Sequence, residues 1–389
     1  MLDESLYRGR FWSNTSEMFT FLHQLAANDK SCSLPAEEDL PFIEWLEWHE
    51  LAAFAYTRVD TSQALFSKLA PIYWASASAN VMKLSSLESL LAALAEAGIR
   101  CVLLKGMAFC LTIYPDAAVR PMSDLDLWIQ RSDWTRTWQV MKELGYETDK
   151  LWHNPRSIPE HVTTLEFYPR QLMKEDFLSV EIHSDLVAHP THLIGRLPLH
   201  AWWDRAYPLV WQGRTVYLLD PAAALLHTAV HQMFQHHGQL RLRWLLDVDQ
   251  LVRGRTDYYL TEADWQCLSE EALQAGVLSA VQCSLRLCQK WFNTPLPASA
   301  LDLLSRPDAP RQEMFFRQIV TSQRSTAARV WTDVQGIPHT LERLTLLRQK
   351  LLPTSAYMMA RYQIPSPLLL PFYYLMRWGK AIQMIWRQQ

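Results

Sequence analysis

The segment from Leu103 to Ile129 reads LLKGMAFCLTIYPDAAVRPMSDLDLWI. A lysine and a glycine follow one short apolar run, and Asp124 and Asp126 begin another. Because side chains on a strand alternate between its two faces, both aspartates point to the same face. Two like charges this close repel each other and raise each other's pKa. A positive group is therefore expected between them.

Short apolar runs around this segment predict the strands of a small sheet. The predicted strands are Ile99–Leu104, Asp124–Gln130, Val162–Tyr168, Leu178–His183 and a hairpin formed by Tyr207–Trp211 and Thr215–Leu219. Helices are predicted at Gly106–Tyr114 and Asp133–Leu144, with a loop at residues 116–123 between them.

Helical periodicity dominates on both sides of these strands. Apolar residues recur at three- and four-residue spacing in Ser16–Ala27, Phe42–Thr57 and Ala79–Ala97, and the chain is again mostly helical after Pro221. The sequence therefore predicts an α+β fold. A small mixed-sheet core at residues 98–220 is flanked by an N-terminal helical region, residues 1–97, and a C-terminal helical region, residues 221–389.

The composition limits the class of protein. A length of 389 residues suggests two or three domains, and a net charge of −3 argues against a protein that coats long nucleic acid. The first residues lack the pattern of a secretory signal, and the longest apolar run is too short to cross a bilayer. The six cysteines form no CxxC pair, so we expect reduced thiols in a cytoplasmic protein.

The scarcity of glycine excludes several common nucleotide sites. The chain has 11 glycines, and the closest two are Gly98 and Gly106. Neither GxGxxG nor GxxxxGK[ST] can therefore be present, which excludes the usual Rossmann loop and the usual P-loop. There is also no GxSxG elbow, and the HELAA sequence at His49 lacks the second histidine of a zincin helix.

A second pair of polar residues completes a possible metal site. Glu181 and His183 are two residues apart on a predicted strand and share one face. Three carboxylates on adjacent strands are the ligands expected for Mg²⁺ or Mn²⁺, ions that also bind substrate phosphates and can support in-line phosphoryl displacement. The alternative is that Asp124, Asp126 and Glu181 are solvated, and that His183 is a half-buried histidine bonded to backbone.

The order of these residues resembles a family of bacterial nucleotidyltransferase-like proteins in the DNA polymerase β superfamily. The matching segments are Leu103–Gly106, Tyr114-Pro115, Arg120–Asp126, Val180–His183, the histidines 227, 231 and 236, and Leu240–Asp247. The resemblance covers residues 98–250 well and the flanks loosely. It implies that the mixed sheet is a nucleotidyltransferase core.

The resemblance also implies roles for individual residues. Asp124 and Asp126 would bind both metal ions. Glu181 would hold the catalytic metal and help to deprotonate an acceptor hydroxyl. Gly106 would approach the triphosphate closely, and His183 would orient a metal ligand, contact a phosphate or act as a base.

One departure from the superfamily pattern concerns the phosphate turn. The superfamily usually has Gly-Ser or Gly-Thr there, whereas this chain has Gly106-Met107. Lys105 or Arg120 could supply a positive charge in place of the missing hydroxyl. Alternatively, Lys105 reaches solvent at a strand end, and Arg120 forms a salt bridge to Asp116 or Asp124 that shapes the loop.

The function that follows from the resemblance is Mg²⁺-dependent transfer of a nucleoside monophosphate from an NTP, such as ATP, to an acceptor. The acceptor could be a small molecule, a sugar, a peptide, a protein side chain or an RNA end. The main alternative is an inactive relative that binds nucleotide or a partner protein as an adaptor. A metal-dependent phosphohydrolase is a third possibility.

Two further features have structural explanations that we prefer. His227 and His231 have the i, i+4 spacing of zinc ligands, but no cysteine or carboxylate has complementary spacing. We expect their helix to pack on the core. The C-terminal segment, residues 368–389, is aromatic and basic. Its apolar face is expected to cover the protein's own core, although it could instead lie on a membrane surface or dock a partner.

Overall fold

The structure is a computed structural model. It describes residues 15–27, 39–114, 116–148, 158, 162–169, 179–187, 190, 193–236, 241–321, 334, 336–337 and 340–386. Leu178, at the start of a predicted strand, lies outside the described residues.

Seven strands of the described chain form one mixed sheet. They are β1 (Val102–Leu103), β2 (Asp124–Trp128), β3 (Tyr146–Thr148), β4 (Thr164–Pro169), β5 (Ser179–His183), β6 (Tyr207–Trp211) and β7 (Arg214–Leu218). Their order across the sheet is β3-β4-β5-β2-β1-β7-β6. The pairs β2/β5 and β1/β7 are parallel and the other neighbours are antiparallel.

Helices precede and follow this sheet. Before and within the sheet they are α1 (Thr15–Ala27), α2 (Asp39–Trp48), α3 (Ala52–Tyr56), α4 (Ala64–Glu96), α5 (Lys105–Cys110), α6 (Trp134–Glu143) and α7 (Leu199–Asp204). After it they are α8 (Pro221–Val230), α9 (Leu242–Arg253), α10 (Glu262–Ala275), α11 (Leu278–Phe292), α12 (Ala298–Ser305), α13 (Pro310–Thr321), α14 (Thr340–Leu351), α15 (Ser355–Tyr362) and α16 (Leu370–Trp386). The α+β fold with helical regions at both ends is confirmed.

Local sequence explains the transition from the sheet to the helices that cover it. The turn between β6 and β7 has positive φ at Gln212 and Gly213, +49° and +71°, which suits a tight hairpin. Asp220 then caps α8 by accepting a hydrogen bond from the Ala223 N–H, with Pro221 in the first helical turn. Every residue of α8 is buried, so this helix is a central core element.

One hydrophobic core runs through the three sequence regions. It includes Leu22 from α1, Leu125 from β2 and Leu245 from α9, all with 0% exposure. Apolar residues that precede the strands in sequence and those that follow them therefore belong to one core. The division into three regions stays a prediction.

Part of the C-terminal prediction was wrong. On α16 and the turn before it, Leu368, Phe372 and Leu375 are 89%, 63% and 62% exposed. The apolar face of the described part of this segment therefore does not cover the protein's own core. None of the helices in the described part of the chain has the length and hydropathy needed to cross a membrane.

Candidate active site

The parallel pairing of β2 and β5 brings the predicted carboxylates together. Asp126 and Glu181 are register partners on these neighbouring strands, so their side chains leave the same face of the sheet. Leu125 and Leu127 point to the opposite face and are fully buried. The apolar alternation of β2 therefore fixes the side on which the carboxylates lie.

His183 joins these two carboxylates. Its Nε2 lies 2.8 Å from Asp126 Oδ1 and 3.4 Å from Glu181 Oε2. Its Nδ1 lies 3.2 Å from Thr164 Oγ1 on β4, so both ring nitrogens have partners. One possible metal-ligand atom from each of Asp126, Glu181 and His183 lies within 4.8 Å of the others. We call these three residues the ligand cluster.

Lys105 supplies a positive group of the kind that the sequence led us to expect. Its Nζ lies 2.6 Å from Asp126 Oδ1 and 4.0 Å from Glu181 Oε2. The backbone of Lys105 has a φ of +48°, a region that costs a non-glycine residue about 1–2 kcal/mol. Strain of this kind is often found at functional sites.

The charged groups of the ligand cluster and Lys105 shift one another's pKa values. Burial alone would raise the pKa of Asp126, but Lys105 and His183 outweigh it and hold that pKa well below its usual range. Burial would lower the pKa of His183, whereas its hydrogen bonds to Asp126 and Glu181 raise it overall. The pKa of Lys105 is also raised, because its neighbouring carboxylates outweigh its burial.

Asp124 lies two residues before Asp126 and is not one of the three residues of the ligand cluster. Its carboxylate accepts a hydrogen bond from the Ser123 hydroxyl at 3.1 Å. Burial, followed by the charge of Asp126, raises the pKa of Asp124 to about 6. Its role as a metal ligand stays a prediction.

Arg120 is buried, with 4% exposure, and its partner is Asp247 on α9. Its Nε and Nη2 donate to the two carboxylate oxygens at 2.8 and 2.7 Å, and Nη1 donates to the Pro121 carbonyl. The Tyr114 hydroxyl also donates to Asp247. The salt bridge considered for Arg120 therefore goes to Asp247 rather than to Asp116 or Asp124. A contact between Arg120 and phosphate stays a prediction that competes with these bonds.

The close approach made by Gly106 is to the loop before β2. A Cβ at this position would lie 3.0 Å from Met122 Cγ and 3.4 Å from Arg120 Nη1. A side chain at Gly106 would therefore disturb the packing of this loop. Its approach to a triphosphate stays a prediction.

Lys83 is a residue that the sequence analysis missed. One face of α4 follows the loop before β2, with Ser76 donating to the Ala118 carbonyl and Asn80 donating to the carbonyls of Ala117 and Arg120. Lys83 comes next on that face. Burial lowers its pKa, and the charge of Asp124 partly opposes this. The three-residue spacing after Asn80 was the signal that could have found it.

The predicted histidine helix also borders this region. His231 lies in a π-helical turn, residues 231–235, and its Nε2 is 2.9 Å from His236 Nε2. Burial, followed by the charge of Lys105, lowers the pKa of His227 to about 3. Neither His227 nor His231 belongs to the ligand cluster, the group of possible metal ligands found in the described chain.

Comparison with known proteins identifies the family of the chain. A family model described as "uncharacterised nucleotidyltransferase" matches residues 35–293. The chain belongs to this nucleotidyltransferase family. The matched range includes the ligand cluster, Lys83, Lys105 and the Arg120–Asp247 pair. No curated protein and no solved structure matched the chain.

Proposed function

We propose that the protein catalyses metal-dependent transfer of a nucleoside monophosphate from an NTP to an acceptor hydroxyl or amine. The observation that carries this proposal is the register pairing of Asp126 with Glu181 beside His183. Membership of a nucleotidyltransferase family supports the same chemistry. The relation to the DNA polymerase β superfamily is part of the proposal.

The chemistry of the ligand cluster fits a divalent cation. Two carboxylates offer the hard oxygen ligands that Mg²⁺ and Mn²⁺ prefer, and the His183 imidazole favours Mn²⁺ over Mg²⁺ as a nitrogen ligand. Asp126 and Glu181 would hold the ion, with Asp124 as a further carboxylate. A bound divalent ion would neutralise phosphate charge and polarise the phosphorus.

The residues of the chain would perform the remaining tasks. Lys105 and Lys83 would bind the oxygens of the β- and γ-phosphates, since charged donors form the strongest hydrogen bonds to phosphate. The acceptor's hydroxyl oxygen or amine nitrogen would bond to the α-phosphorus, and Glu181 would take up the proton that this atom loses. The bond from the α-phosphorus to the bridging oxygen then breaks, and pyrophosphate leaves.

A second candidate function is an adaptor that binds nucleotide without turnover. It is favoured by the Lys105 ammonium, which already contacts Asp126 at 2.6 Å, and by the absence of a hydroxyl residue after Gly106. Such a protein would bind NTP in the absence of a divalent ion, and it would release no pyrophosphate.

Two measurements on the purified full chain separate these functions. Thermal unfolding is measured with each NTP alone, with Mg²⁺ or Mn²⁺ alone, and with NTP and ion together. The melting temperature should increase most when NTP and ion are both present, because ligands that bind the native state stabilise it. Pyrophosphate release would then be assayed with panels of sugars, peptides and RNA ends. Binding without pyrophosphate for any acceptor favours the adaptor. Release of inorganic phosphate without an acceptor indicates a phosphohydrolase.

A further inference from the structure

The end of the chain presents an apolar surface to solvent. Its residues are Leu351, Leu352, Leu368, Phe372, Leu375 and Trp378, and their exposed fractions lie between 36% and 89%. We call this set the C-terminal apolar surface. The residues come from the end of α14, the turn before α16 and the first half of α16, outside the range matched by the nucleotidyltransferase family.

Hydrogen bonds hold the two parts of this surface side by side. The Trp378 indole N–H donates to the Leu351 carbonyl at 2.7 Å, and the Tyr374 hydroxyl donates to the Pro353 carbonyl. On α16 and the turn before it, Leu368, Phe372 and Leu375 follow the four- and three-residue spacing of one helical face. These bonds place Leu351 beside α16, and exposed apolar side chains grouped in this way usually mark interaction sites.

The charge of this part of the chain is opposite to that of the remainder. Residues 340–389 contain seven lysines or arginines and one glutamate, whereas residues 1–339 contain 30 basic and 39 acidic residues. Arg348 on α14, Arg361 on α15 and Lys380 on α16 are exposed. A basic and apolar surface on an otherwise acidic protein is attracted to anionic partners through that end of the molecule.

We propose that the C-terminal apolar surface binds anionic lipid bilayers, with α16 lying in the plane of the interface. Helices that bind in this way combine exposed leucine and aromatic side chains with lysine and arginine, and tryptophan favours the headgroup level. A second copy of the chain is a less suitable occupant. In a two-fold dimer the same basic surface would face itself, and like charges would repel.

The test measures flotation of the full chain with vesicles. Vesicles of phosphatidylcholine alone are compared with vesicles that also contain phosphatidylglycerol. We expect binding only to the anionic vesicles, weakening as salt is added, because screening shortens the range of charge attraction to about 10 Å at 0.1 M. Binding to both vesicle types alike, or to neither, would overturn the proposal.

Matched variants identify the surface. Phe372→Ser with Leu375→Ser should reduce binding at least tenfold, and Arg361→Gln with Lys380→Gln should reduce it about fivefold for each charge removed. Leu273→Ser with Leu301→Ser, at exposed leucines of α10 and α12, should bind like wild type. An unchanged melting temperature shows that each variant is folded. Vesicle binding that survives in Phe372→Ser with Leu375→Ser would overturn the proposal.

Sedimentation velocity examines the alternative occupant. Wild type should be monomeric in the absence of lipid at the concentrations used for flotation. A wild-type dimer that the Phe372→Ser and Leu375→Ser changes convert to monomer, without any effect of lipid, would show that a second copy covers the surface. That result would contradict the lipid proposal.

Discussion

Asp126 and Glu181 face each other across two parallel strands, as register partners of β2 and β5. They are 55 positions apart in sequence, and the pairing places them with His183 around a point that Lys105 also reaches. Lys105 and His183 each lie within 4.0 Å of both carboxylates, so the site depends on a close balance of charge. The following predictions examine that balance and its structural supports.

Lys105 should contribute to binding of the triphosphate. We expect Lys105→Met to lower NTP affinity about ten- to a hundredfold, because a charged hydrogen bond is worth roughly 1.5–3 kcal/mol. Affinity for the nucleoside should change little. Calorimetric titration of both ligands measures this, with Lys142→Met, at an exposed lysine on α6, as the control. Equal losses for nucleoside and NTP would contradict a phosphate contact.

Lys83, which interacts electrostatically with Asp124, should also contribute to binding of the triphosphate. Lys83→Met should weaken NTP binding about tenfold at low salt and leave Mg²⁺ or Mn²⁺ binding in the absence of nucleotide intact. Calorimetric titration with NTP measures this loss of affinity. The control variant Lys83→Arg keeps the charge and should retain most of the affinity. If Lys83→Met binds NTP like wild type while Lys105→Met does not, Lys105 contacts the phosphates and Lys83 does not.

Removing one partner of the Arg120–Asp247 pair should be strongly destabilising. Asp247→Asn leaves the buried guanidinium without its counter-charge, which typically costs about 3–5 kcal/mol. Tyr114→Phe removes only one hydrogen bond and should cost about 1 kcal/mol. Urea unfolding gives both values. We also expect Arg120→Met with Asp247→Leu together to be less destabilising than Asp247→Asn alone, and the reverse order would contradict this account.

Stability should fall in mild acid because of buried neutral histidines. Burial, followed by the charge of Arg241, lowers the pKa of His49 to about 3, and its Nδ1 accepts the Leu242 N–H. The unfolded state therefore takes up the proton first. The stabilisation is complete above about pH 6.5 and is lost progressively as the pH falls toward 3, by about 1.4 kcal/mol per pH unit.

Substitution of His49 isolates its share of that acid sensitivity. His49→Asn keeps an acceptor near the position of Nδ1 and removes the titration. The free energy of unfolding in urea, measured from pH 7.5 to 4.5, should fall less steeply for His49→Asn than for wild type. Parallel curves would show that His49 does not titrate on unfolding as described.

The sequence predicted those features of the fold and site that depend on local pattern. The alternation around Asp124 and Asp126 was sufficient to predict β2, and the spacing of Glu181 and His183 was sufficient to place them on one face. The helix predicted from Ala79 begins instead at Ala64 and continues through Pro71, a residue type that removes a backbone donor and usually interrupts a helix.

Features that depend on distant contacts could not be predicted in this way. The 127 positions between Arg120 and Asp247 leave no local signal for their pairing. The sequence predicted Asp124 as the third ligand, whereas the structure groups His183 with Asp126 and Glu181. This grouping depends on the register of β2 against β5 and on side-chain rotamers. The solvent exposure of α16 could not be predicted from helical periodicity either, because periodicity identifies an apolar face without showing what covers it.

In the function that we propose, Asp126 and Glu181 hold the divalent ion that accompanies an NTP. The most direct measurement is the dissociation constant of the Mn²⁺–NTP complex for wild type, Asp126→Asn and Glu181→Gln, with Asp302→Asn, at an exposed carboxylate of α12, as the control. We predict at least a hundredfold weakening for each of the two site variants and wild-type affinity for Asp302→Asn. Wild-type affinity in Asp126→Asn and Glu181→Gln, with both proteins folded, would contradict the account.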